Sequence, residues 1–203
     1  MSLLRKMFGP SKDEIWQQLS QELGGEFVPG TWKQGSKMQV KVREWTITLD
    51  SYLLMVGKVP VTYTRLRAPY VNPDGFRFRI YKQGFWSEVA TSLGGQDVQI
   101  GNPDFDQAWV LKGTDEIKVQ QLFASAKLQE LLTQLKEVHL EVKDDEGWFA
   151  TEFPEGVDEL SLVEAGELTD LKRLKLLYEL FAETLNRLTQ TGSAYETDPG
   201  VIL

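Results

Sequence analysis

Between Lys37 and Ile80, apolar and polar residues alternate with period two in three separate runs. Met38, Val40 and Val42 form the first, and Trp45, Ile47 and Leu49, with threonines between them, the second; Phe76, Phe78 and Ile80, with arginines between them, form the third. A period of two is the mark of strands with one buried and one polar face. Such strands belong to antiparallel sheets, because parallel sheets are buried on both sides. Turn chemistry separates the runs, with Gly57-Lys58 before a strand over 59–66 and Asn72-Pro73-Asp74-Gly75 before the third run.

Helical periodicity frames this block. Ser11 to Glu14 has the form of a capping box, Ile15, Trp16, Leu19 and Leu23 follow at helical spacing, and Gly24-Gly25 stops the run, which predicts a helix over 12–23. Residues 85–93 have the pattern of a short helix. The later half runs strand 108–112, then one bent or two short helices carrying Ile117, Leu122, Phe123, Leu128, Leu131, Leu132 and Leu135, then strand 138–142. A hairpin turn at Asp144-Asp145-Glu146-Gly147, a return strand 148–153, a strand over 158–164 and a helix over 170–190 complete it. That last helix carries Leu171, Leu174, Leu177, Phe181, Leu185 and Leu188 on one stripe. The order predicts an α+β fold: mainly antiparallel sheet, helices segregated to one face, and a long C-terminal helix. Residues 1–95 form an N-terminal helix plus a β-rich half, 96–190 a second half sharing its core, and 191–203 a loose tail. Trp45, Ile47, Phe78, Trp109, Leu140, Leu177 and Phe181 are expected to be buried.

The 203 residues include no cysteine, which excludes disulfides, thiolate chemistry and cysteine-held metals. No cleavable leader and no apolar run of membrane-spanning length is visible, so a cytoplasmic protein is expected. A net charge of −8 argues against nonspecific nucleic-acid binding. The charge is unevenly placed. From Lys58 to Lys82 six basic residues face one acid, a net of +5; from Glu137 to Asp170 twelve acids face one base, a net of −11.

Few residues carry the pattern of a reactive site. Asp144, Asp145 and Glu146 lack the ligand spacing of a Ca²⁺ loop and read as a solvated turn. His139, the only histidine, is expected on a sheet face beside Glu141, with no nucleophile motif to serve. Asp104 and Asp106 would lie on one side of an extended segment, although Asn102-Pro103-Asp104 is turn chemistry. No glycine pattern builds a phosphate loop. No catalytic residue, metal ligand or cofactor is therefore assigned. The basic strands are the remaining candidate. Arg65 and Arg67 share one strand face, and Arg77 and Arg79, in line with Tyr81, share another. If the two strands paired, like charges would crowd, which is unfavourable. Carboxylates from residues 137–170 or an external anion would have to answer them.

The strings RAPYVNPDGFRFRIYKQGF (67–85), DVQIGNPDFDQAWVLKGTDEIKVQQLFAS (97–125), LEVKDDEGWF (140–149) and FPEGVDEL (153–160) resemble an uncharacterised family of bacterial conserved-hypothetical proteins. The FDQAWVLKGTDE stretch is similar to a pattern at the core of a broader domain of unknown function. The resemblance implies a bacterial origin and a shared fold, and supplies no activity and no catalytic residues.

The expected function is a non-enzymatic binding or protein-interaction module, with Arg65, Arg67, Arg77, Arg79 and Tyr81 as the candidate anion- or partner-binding residues. A hydrolase or transferase acting on an anionic small molecule is one alternative. A peripheral membrane-surface protein, using Leu3, Leu4, Met7 and Phe8 around Arg5 and Lys6, is the other.

Overall fold

A computed structural model describes residues 9–32, 34–83, 96–135, 137–144, 153–201 and 203. Helix α1 (Lys12–Leu23) begins at the expected capping box: Ser11 Oγ accepts from the Glu14 N–H, and the Glu14 carboxylate accepts from the Ser11 N–H. Gly24, at φ 69°, closes it in the left-handed conformation. Gly25 follows at a close approach, where a Cβ would sit 2.4 Å from the Gln39 carbonyl oxygen.

Among the described residues, eight strands come next, with four further helices between or after them: β1 (Glu26–Val28), β2 (Lys37–Val42), β3 (Trp45–Val56), β4 (Val59–Val71), β5 (Phe78–Lys82), α2 (Pro103–Ala108), β6 (Trp109–Gly113), α3 (Glu116–Phe123), α4 (Ala126–Gln134), β7 (His139–Lys143), β8 (Val157–Ala165) and α5 (Leu171–Gln190). They form one sheet in the order β1-β2-β3-β4-β8-β7-β5-β6, antiparallel at every pairing. The fold is α+β with a long C-terminal helix.

Register explains the two faces. One row across seven strands reads Met38, Leu49, Leu66, Leu162, Leu140, Ile80 and Leu111. All seven are buried under the helices. Helix α5 lies against β4 and β8, α1 against β1 and β2, and α3 against β6. The helix layer is tied together where the Trp16 indole N–H donates to the Leu168 carbonyl at 3.1 Å. The core joins residues from Ile15 to Ala194, and all seven side chains expected inside are at most 5% exposed. The adjacent row, on the other face, reads Gln39, Thr48, Arg67, Ser161, Glu141, Arg79 and Lys112.

Several expectations change. Strands β4 and β5 do not pair: β8 and β7 lie between them. Strand β3 runs to Val56 and β4 to Val71, beyond where the alternation fades. Pro69 does not stop β4, because the register with β3 ends at Thr48–Arg67 and its missing N–H breaks no bond there. The edge that β3 leaves is taken by the chain after α5, where Tyr195 bridges Val71 and its carbonyl accepts from the Trp45 indole. The 191–203 segment, expected to be loose, thus makes specific contacts. Ser193 and Ala194 are buried, and the Leu203 oxygen accepts from Lys37 Nζ at 2.6 Å. Asp104 and Asp106 lie in a helical turn, not an extended segment, with Asn102 capping it and Pro103 at its first position. The expected helix over 85–93 and most of the return strand over 148–153 lie outside the described residues, as do Leu3, Leu4, Met7 and Phe8.

Candidate functional site: the polar face and the ribbon

The five nominated residues all lie along the side of the sheet that no described helix covers, in three clusters. In the first, counting outward from the two-residue turn Gly57-Lys58 places Asp50 opposite Arg65. Gly57, at φ 62°, supplies the positive angle that such a hairpin turn needs. Asp50 accepts two bonds from Arg65, at 3.0 and 3.1 Å, and a third from Arg67. The Arg65 guanidinium also lies 4.8 Å from the centre of the Tyr52 ring, and Tyr52 stacks on Tyr63 across the ribbon.

In the second cluster, Arg79 stands directly opposite Glu141 and holds it at 2.7 and 2.9 Å. Tyr81 stands opposite His139, with ring centres 6.0 Å apart, and His139 Nε2 is 3.3 Å from the same Glu141 carboxylate. Burial works against the Glu141 charge, yet the His139 imidazole beside it and the Arg79 guanidinium that bonds it outweigh this and hold its pKa down to about 2.

The third cluster is at the end of β5. Arg77 reaches Asp144 at 2.7 Å and Asp158 at 3.2 Å. Asp144, the first of the acidic run Asp144-Asp145-Glu146, therefore answers an arginine; Asp145 and Glu146 lie outside the described residues.

Carboxylates thus meet all four arginines. Three of the acids, Glu141, Asp144 and Asp158, come from the acidic 137–170 stretch; Asp50 does not. The side chains of Arg67 and Arg79 are only 8% and 7% exposed, which limits their reach to an external anion. Between the first two clusters is Glu159, wholly buried, with Lys143 Nζ 3.4 Å from one oxygen and Arg67 3.9 Å from the other. Neither of its oxygens accepts a hydrogen bond from a described residue. Burial raises its pKa, and the charges of Lys143, Arg67 and Arg65 offset this only in part.

A second feature was not predicted from the sequence. Strand β2 pairs with β3 only as far as Leu49, and β8 pairs with β4 only from Tyr63 onward. The β3–β4 hairpin therefore outruns both neighbours as a two-stranded ribbon. Its outer part exposes Leu53 (61%), Met55 (56%) and Val59 (61%). No charged residue lies between Ser51 and Gly57. The sequence signal was the unbroken apolar run Leu53 to Val56, in which the period of two is lost.

No family model matches the chain, and no curated protein matches it. Among solved structures, the mycobacterial trehalose monomycolate transport factor A is similar, with a TM-score of 0.49 and 9% identity, over 87% of this chain and 94% of that one. A likeness this remote carries no argument about function. No helix among the described residues is long and apolar enough to cross a membrane.

Proposed function

We propose that the protein is a non-enzymatic protein-interaction module that binds an extended, uncharged segment of a partner by adding it as a strand to the outer part of β3. The observation that carries this reading is the ribbon outrunning both flanking strands. Beyond Leu49, β3 has no strand partner among the described residues on its outer side. Such an edge offers backbone donors and acceptors in a row, and natural sheets usually protect it with charges or prolines. Tyr52 to Val56 carries neither. Apolar side chains on an added strand would match Leu53 and Met55, while a charged strand would leave its charges against them. The chain also belongs, in this proposal, with the uncharacterised bacterial family that its strings resemble, and in the cytoplasm, which a cysteine-free composition fits.

The test uses amide hydrogen exchange on the full chain. A β-forming peptide of alternating Val and Thr should slow exchange at Tyr52 to Val56, and a Glu-Pro peptide of equal length should not. Unchanged exchange with both peptides would refute strand addition.

A further inference from the structure

We infer that the segment adding to β3 is the same segment of a second copy of this chain. This rests on the strand-addition reading and names its partner. Paired antiparallel about a two-fold axis at Leu54, the outer strand is complementary to itself. Leu54 meets Leu54, Leu53 meets Met55, and Tyr52 meets Val56. The aromatic–β-branched pair is one that antiparallel sheets favour. Leu53 and Met55, at 61% and 56% exposure, lie on one face of the strand, so the pairing gathers four exposed apolar side chains into one cluster.

Charge favours this patch over the rest of the surface. Each copy carries −8, so two copies repel in general. The stretch from Ser51 to Gly57 is uncharged, and the flanking Asp50 is already matched by Arg65 and Arg67. A second copy can approach there without opposing like charges. The contact is isologous and closes on itself, joining the two projecting β3–β4 ribbons side by side instead of starting an open chain.

Sedimentation equilibrium on the full chain tests the idea, with two double variants at these exposed positions. The parent should be a dimer at high concentration. Leu53→Lys with Met55→Lys should be a monomer, and so should Leu53→Glu with Met55→Glu, because each would set like charges opposite each other. Mixed one to one, the two should recover the dimer, since every lysine then faces a glutamate. The recovery also guards against variants that merely unfold. A parent that stays monomeric, or a dimer untouched by the double-lysine change, would overturn the proposal. If the parent is monomeric while the Val-Thr peptide still protects Tyr52 to Val56, strand addition survives and the second copy does not.

Discussion

Glu141 and Glu159 lie on neighbouring strands of the same polar face, yet burial and partners drive them in opposite directions. Glu141 is held at about 2, below the ordinary 4.5. A depressed carboxylate contributes stability that is fully present above its unfolded value and is lost as pH falls through its folded value. Glu159 is raised by burial, so the folded state favours its protonated form. Its contribution is present below the ordinary value and is lost as pH rises through the folded one. Thermal melts between neutral pH and pH 2.5 should therefore show a loss of stability from about pH 4.5 downward, and Glu141→Gln should flatten that limb. At neutral pH the same change should cost roughly 3–5 kcal/mol, because it leaves a buried arginine without its partner. Glu159→Gln should do the reverse, raising the melting temperature at pH 7 and removing the gain on mild acidification. An acid limb as steep in the Glu141 variant as in the parent would show that this carboxylate is not its source.

At the scale of elements, what was legible followed from local rules. The capping box and Gly24 fixed both ends of α1, and the leucine stripe fixed α5. The pair Asp50–Arg65 could also have been read, since it follows by counting from the Gly57-Lys58 turn. Arg79–Glu141 could not, because it depends on β7 returning beside β5 after a strand and three helices among the described residues. Asp104 and Asp106 were misplaced although Asn102-Pro103 is a helix start; their alternation around Phe105 suggested a strand, and the helix is only six residues long. Helix α5 gives the direct check on packing. Phe181 is wholly buried in the shared core, so Phe181→Ala should lower unfolding free energy by about 3–5 kcal/mol in denaturant titrations. Ile117→Ala, on the exposed side of α3, should change it by less than about 0.5 kcal/mol. Equal effects would mean that α5 does not anchor the sheet.

Over the whole molecule, the charge asymmetry of the sequence becomes complementarity. Insertion of β8 and β7 between β4 and β5 sets acids from the 137–170 stretch among the basic strands. Inorganic phosphate at constant ionic strength should therefore leave the melting temperature unchanged. A rise that vanishes in the Arg77→Gln, Arg79→Gln variant would instead show these guanidiniums available to outside anions. The position of β8 also bears on how the protein is made. A chain emerging from the ribosome can assemble β1 to β4, and then β5, β6 and β7, but the two pieces have no shared border until residues 157–165 arrive. Until then β4 and β7 each present an unpaired side, and Arg67 lacks Glu159. Pairings between segments so distant in sequence form slowly, and exposed strand borders are where nascent chains go astray. The late strand thus sets a biosynthetic checkpoint: the sheet is completed only after Val157–Ala165 has been translated, and a ribosome stalled earlier holds two half-sheets without the strand that borders both.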